Sequence, residues 1–299
     1  MLYTRKKIIL AIIDIFGGAI TAKQLQKYLF LFTRKQEVMS YKFVPYHYGC
    51  YSFLANVDVV SLGKEGYINI AETDKGRFLT VDKQNHYINE LDIFDQQSIR
   101  DLKNEFGKYT QEELIRYTYI HFPFYAINSH IASKILSNDE LLKVDKQRNK
   151  DNAPMLFTIG YEGLSIEEYL VKLLINNVRI LCDVRKNAYS QKYGFSKAVL
   201  SKACDGIGVR YIHIPELGIE SNKRQTLNSQ KDYDILFNNY ENSTLKDNWT
   251  YLLGIKKLIQ SDKRVALTCF EKNPKQCHRS RVAKYLMTLP NTDYKLKEL

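Results

Sequence analysis

Between residues 155 and 289 the chain repeats one pattern four times: a short apolar run, a polar or glycine-bearing turn, then a helical stretch. The runs are "MLFTI" (155–159), "VRILCDV" (178–184), "VRYIHI" (209–214) and "RVALTCF" (264–270). Strands this continuously apolar need cover on both faces, and strands that alternate with amphipathic helices pair in parallel. The predicted fold of this half is therefore α/β, a parallel sheet covered by helices on both faces. Ser165 with Glu168 forms a capping box for the first of these helices, Ser196 caps the second, and "HRSRVAKYLMTL" is the last.

In an open parallel sheet all strand carboxyl ends share one edge, where ligands bind. The chemistry-bearing residues of this half fall there: Gly160 and Tyr161 after the first strand, Asp183, Arg185 and Ser190 after the second, His213 after the third, and Cys269, Glu271, Cys277, His278 and Arg279 after the fourth. Four separate segments thus deliver polar groups to one crevice. Each also has a purely structural reading. Gly160 and Gly163 suit a turn, Asp183 and Arg185 suit an ion pair, and His213 suits a satisfied core position. Cys182 and Cys204 sit in apolar patterns as inert thiols. No Gly-x-Ser-x-Gly elbow is present, so Ser-His-Asp catalysis is not expected.

The loop "TCFEKNPKQCHRSRVAKYL" (268–286) admits four readings. A metal site would call for closely paired ligands, which Cys269 and Cys277 are not, and no metal ligand is assigned. A thiol at a strand end near arginines and a helix start can act as a nucleophile. Backbone N–H groups at the helix start with Arg279 can cradle a phosphate. A basic helix cap is the plainest choice. Glu271 beside an anion site implies either a cationic partner, Arg185 or Arg279, or a proton-handling role.

Charge points the same way. The formal net charge is +11; residues 1–153 hold 21 Lys and Arg against 18 Asp and Glu, and residues 154–299 hold 23 against 15. A basic second half fits an anionic partner, nucleic acid or nucleotide first, with a solvated lysine surface as the alternative. Five cysteines, an odd number without a disulfide ladder, fit a reducing compartment and a cytoplasmic protein. The opening "MLYTRKKIILAIIDIFGGAI" resembles a secretion signal, but Asp14 interrupts it and Ile8, Ile12, Ile15 and Phe16 keep a helical stripe. No run approaches the ~18 apolar residues of a membrane span.

The first half predicts a helix ending at Gly17-Gly18, a second capped by Thr21 with Gln24, an aromatic extended stretch, a helix from Ser52, and the strands "YINIA" and "RFLTV". Helices with a two-stranded wing indicate a winged helix-turn-helix. A helical tail follows from Asp95 to about Leu142, broken at Pro123. The helix placed to read a groove, Ser52 to Leu62, has no lysine or arginine, and basic residues gather on the second helix at Lys23, Lys27, Arg34 and Lys35. Protein or substrate docking is thus expected of this domain ahead of sequence-specific DNA reading, with pure structural support as the third alternative. "VDKQRNKDNAP" (144–154) is the expected linker between domains 1–143 and 155–299.

Two family resemblances follow. "FVPYHYGCYSFLANVDVVSLGKEGYI" resembles the signature segment of the YwgA-like and SocA-like (Panacea) winged-helix families, with Cys50 at a usual proline; the resemblance spans about residues 1–130 and implies antitoxin-like or regulatory contacts. "TIGYEG", "CDVRKNAYS", "GFSKAVL", "GVRYIHIPELG" and "TCFEKNPKQCHRSRVAKYL" resemble the YeaO-like domain of unknown function 488 family over about residues 155–289. Here Tyr161 replaces a usual histidine and Ile219 a common glycine. That resemblance implies a fold and a site but no reaction.

The function expected from these readings is an enzyme on nucleic acid or nucleotide, a hydrolase or transferase at a phosphoryl or N-glycosidic bond. Its expected catalytic residues are Asp183, Glu271, Cys277 and His278. Its expected substrate- and phosphate-binding residues are Gly160, Tyr161, Arg185, Ser190 and Arg279. The sequence requires no cofactor and no membrane. The alternatives are a non-catalytic DNA- or partner-binding regulator, and thiol-dependent sulfur or phosphoryl transfer through Cys269 or Cys277.

Overall fold

A computed structural model describes residues 2–74, 76–81, 86–220, 223 and 227–299, and the chain divides into two compact units, 1–148 and 149–299. Each is described by itself.

In the first unit, α1 (Thr4–Ile15) buries Ile8 through Ile13, the apolar stripe of the opening stretch. β1 (Ala19–Thr21) leads into α2 (Ala22–Thr33), where Thr21 and Gln24 complete their capping box. β2 (Val44–Tyr46) and β3 (Gly49–Tyr51) form a hairpin; α3 (Phe53–Lys64) follows, capped by Ser52. β4 (Asn69–Thr73) and β5 (Gly76–Thr80) then pair with β1 in an antiparallel sheet of order β1-β5-β4. The third strand, β1, is only three residues long. That is too short for a period-two pattern, which is why only two strands of the wing were expected.

Two buried ionic groups lock this unit. Asp58 on α3 accepts from Arg5 Nε at 2.6 Å and from Tyr41 Oη at 2.9 Å, tying α3 to α1. Lys27 is buried and donates Nζ to the carbonyls of Tyr48 (2.7 Å) and Cys50 (3.0 Å), pinning the hairpin beneath α2. Burial lowers the Lys27 pKa. Lys27 thus leaves the basic face expected on α2, because its ammonium holds carbonyls inside the unit. The helical tail forms α4 (Ile93–Phe106), α5 (Gln111–His121), α6 (Ala132–Ile135) and α7 (Asn138–Asp145). It breaks at Gly107 as well as near Pro123, and α7 runs two residues into the expected linker.

The second unit runs β6 (Met155–Gly160), α8 (Ile166–Ile175), β7 (Ile180–Asp183), α9 (Lys197–Asp205), β8 (Arg210–His213), α10 (Gln230–Tyr240), α11 (Trp249–Asp262), β9 (Arg264–Cys269), α12 (His278–Thr288) and β10 (Lys295–Glu298). Its five strands pair in parallel in the order β10-β6-β9-β7-β8. On one face Val265 and Leu267 pack with Leu252 and Ile255 of α11 and Val282 of α12. On the other, Thr268 accepts a hydrogen bond from Tyr169 of α8 at 2.8 Å. The predicted four strands all form. The fifth, β10, was not predicted, because "KLKE" is exposed throughout and its alternating charges hide an edge strand. Arg264 donates to Asp151 Oδ2 (2.9 Å) and to the carbonyls of Ala153 and Asn176, so the end of the expected linker is fixed to this sheet. Part of the polar segment after β8 lies outside the described residues.

Candidate functional site

At the carboxyl ends of β6, β7 and β9 lies a cleft of ≈ 430 Å³, whose walls include Arg185, Lys186, Ser190, Lys192, Cys269 and His278. Tyr161 and Glu271 also line it, and two aromatic rings stand at its mouth, Tyr189 (73% exposed) and Phe270 (43% exposed). Neither the two lysines nor these aromatics is among the residues expected from the sequence. Only their clustering in space marks them, since isolated lysines and aromatics in loops carry no pattern.

Two polar clusters meet at this edge. In the first, Asp183 is wholly buried at the end of β7 and accepts from Arg185 Nε (2.8 Å), the Arg185 backbone N–H (3.1 Å) and Tyr211 Oη (2.5 Å). Arg185 Nη1 donates to Tyr161 Oη (2.7 Å) and to the Phe195 carbonyl (2.9 Å). Burial works against the Arg185 charge, but its hydrogen bonds with Asp183 and the carboxylate's charge outweigh that and hold its pKa above the usual value. Burial, then the Asp183 charge, likewise pushes the Tyr211 phenol up. Tyr161 stacks on Phe195 with ring centroids 4.2 Å apart. Asp183, expected as a proton handler, sits at the centre of a buried ion-pair network with Arg185 and Tyr211.

The second cluster joins β9 to α12. Cys269 Sγ lies 3.2 Å from Glu271 Oε2 and 3.7 Å from His278 Nδ1. His278 Nε2 sits 2.8 Å from the Val184 carbonyl, which can only accept, so Nε2 carries the proton. In the neutral ring Nδ1 then presents its lone pair to the thiol. Cys277 completes the group: Cys269, Cys277 and His278 are all buried and their ligand atoms lie within 4.8 Å of one another. Burial, then the neighbouring Cys269, pushes the Cys277 thiol well up. Cys182 and Cys204, expected as core thiols, are buried, and burial pushes Cys182 up to about 12 and Cys204 further. His213 Nε2 lies 2.9 Å from the Arg185 backbone carbonyl; since that oxygen only accepts, His213 Nε2 is the donor.

Arg279 is placed otherwise than the phosphate-binding role required. It is fully buried in the first turn of α12, Nη1 donates to the Glu271 carbonyl, and Nη2 donates to the Lys272 carbonyl at 3.2 Å. Glu298 of β10 lies 3.6 Å from Nη2. Its guanidinium therefore holds the 271–272 backbone and does not line the cleft. Gly160 serves the same arrangement, since a Cβ there would overlap the Glu271 carbonyl oxygen. Ser190 remains at the cleft wall: its Oγ accepts from Lys192 N–H (3.2 Å), and Ser196 Oγ donates to its carbonyl (2.9 Å). Ser196, at the start of α9, thereby closes the 190–196 loop instead of capping the helix with its side chain. Lys192 Nζ donates to the Tyr161 carbonyl at 3.0 Å, and burial lowers its pKa. No described helix is long and apolar enough to cross a membrane.

No curated protein and no solved structure matches this chain. Residues 165–286, from the start of α8 into α12 and including both polar clusters except Tyr161, match the family described as Domain of unknown function DUF488, so the α/β unit carries a domain of that family.

Proposed function

We propose that the α/β unit is a thiol-dependent hydrolase or transferase acting on a phosphate-bearing substrate, a nucleotide or nucleic acid. One observation carries this reading: His278 is held by the Val184 carbonyl with Nδ1 turned to Cys269 Sγ at 3.7 Å. A nucleophilic thiol needs a positioned base, and that base needs a group fixing its tautomer. His278 takes the Cys269 proton; the thiolate attacks the electrophilic centre, and the leaving group departs with that proton, returned by His278. Water, deprotonated by the same base, then cleaves the covalent intermediate and restores the thiol.

The substrate class rests on the cleft. Lys186 and Lys192 beside the buried Arg185 suit an anion, and an anion would relieve the burial cost that Lys192 bears. Tyr189 and Phe270 offer exposed faces for stacking a base. A mass-spectrometric screen of nucleotides and oligonucleotides tests the reading. The substrate it yields should be turned over by the parent and by Cys277→Ser, but not by Cys269→Ser or after iodoacetamide treatment. Loss of turnover in Glu271→Gln with Cys269→Ser unaffected would replace it with carboxylate chemistry at a phosphoryl or N-glycosidic bond. Inert behaviour of every variant and every substrate would leave the binding regulator.

For the first unit the helices α1–α3 and the sheet order β1-β5-β4 support a winged-helix reading. α3 offers a basic side chain only at Lys64 in its last turn, and its Asp58 points inward to Arg5. Docking of a partner protein or of the substrate's backbone suits it better than base reading. Nucleic-acid binding by the full chain that falls steeply with salt supports backbone docking.

A further inference from the structure

We infer that Cys269, Cys277 and His278 form a binding site for a thiophilic divalent cation, Zn²⁺ first, with Glu271 beside Cys269 in the outer shell. Ligands at about 2.3 Å (sulfur) and about 2.0 Å (nitrogen or oxygen) in a tetrahedron stand about 3.5 Å apart. Here Cys269 Sγ is 3.7 Å from His278 Nδ1, and the Cys269 thiol donates to Glu271 Oε2 at 3.2 Å. The Cys277 ligand atom lies within 4.8 Å of both Cys269 Sγ and the His278 ring nitrogen. Metal-binding histidines commonly give their other ring N–H to a carbonyl, and His278 gives Nε2–H to Val184. Two sulfurs and an imidazole are soft donors that favour zinc over magnesium or calcium.

The sequence argued against this site because Cys269 and Cys277 lie far apart along the chain. The strand-to-helix turn removes that separation: β9 ends at Cys269, α12 begins at His278, and Arg279 draws the intervening backbone inward. The inference goes beyond the thiol chemistry proposed above and is compatible with it: the metal-free chain carries the Cys269 nucleophile, and a metal held by Cys269 silences it. Cys277 tells the two apart: it is a ligand here and dispensable there.

The test uses the full-length, reduced protein, with thiols counted first. Zn²⁺ is titrated against a chromophoric chelator, and Co²⁺ is added separately to read the coordination by absorption. One equivalent should bind, and the cobalt form should show thiolate charge transfer with tetrahedral d–d bands. Cys277→Ser should weaken binding by at least about 100-fold, the upper end of what an outer-shell change alone produces. Glu271→Gln should weaken it by about tenfold. Cys50→Ser, whose thiol lies in the other unit, should change nothing. Should Cys277→Ser fail to fold, the parent decides, because Zn²⁺ should slow iodoacetamide labelling of Cys269. Binding below one equivalent, affinity unchanged in a folded Cys277→Ser, an octahedral cobalt spectrum, or labelling indifferent to Zn²⁺ would each overturn the site.

Discussion

The two polar clusters at the carboxyl edge use similar burial to opposite ends. Around Asp183 each charge meets its complement: a carboxylate with Arg185 and Tyr211, and a guanidinium with Tyr161 and the Phe195 carbonyl. Such a network sets the position of β7 against β8 and of the loop at Phe195, and its groups gain nothing from moving a proton. Around Cys269 the donors are two thiols, an imidazole lone pair and a carboxylate, with Arg279 engaged by backbone carbonyls close by. Sulfur is a weak hydrogen-bond partner, so this cluster is held mainly by packing and by the Val184 carbonyl. Saturated charge makes scaffold. Soft donors grouped beside a cleft leave a thiol and an imidazole nitrogen facing each other.

That contrast predicts different kinds of damage. The largest effect belongs to the soft cluster: Cys269→Ser should abolish turnover, and His278→Gln should lower it by about 10²–10⁴-fold, the usual contribution of a positioned base. Both should unfold near the parent's temperature in a thermal melt. A large fall in melting temperature for Cys269→Ser would erase the contrast.

Next comes the scaffold. Asp183→Ala leaves the Arg185 charge buried without its carboxylate and should cost about 3–5 kcal/mol, read by denaturant unfolding. Stability near the parent's, with turnover gone, would transfer Asp183 to the chemical group.

Smaller effects sharpen the boundary. Lys192→Gln should weaken phosphate-bearing ligands by about 1.5–3 kcal/mol, a lost charge-assisted contact, with little change in stability. Isothermal titration reads both parent and variant, and unchanged affinity would place the anion elsewhere. Gly160→Ala forces a methyl against the Glu271 carbonyl and should cost about 1–3 kcal/mol of stability. It should also lower turnover, because Glu271 and Cys269 ride on the displaced backbone. A neutral Gly160→Ala would mean that the 271–272 backbone yields freely.

Much of the α/β unit was legible because its strands are long enough, and apolar enough, for their period to show. β6, β7, β8 and β9 each gave an apolar run, and their shared direction put Gly160, Asp183 and Cys269 on one edge before any distance was known. Capping boxes at Thr21 and Ser165 were equally plain, since they need only neighbours three residues apart. β1 and β10 were not legible: the first is too short for a pattern and the second is charged on its exposed edge.

The sequence by itself determined which strand ends share the edge, because secondary structure and strand direction follow from local periodicity. Only the tertiary structure decided what each does there. Arg279 was expected to face an anion and faces carbonyls; Asp183 was expected to move protons and is closed by Arg185 and Tyr211; Cys269, Cys277 and His278, distant from metal-site spacing, lie within 4.8 Å. The physical reason is one of range. A side chain's charge state and reactivity depend on burial and on partners within a few ångströms, and those partners come from segments many residues apart, which no local pattern records.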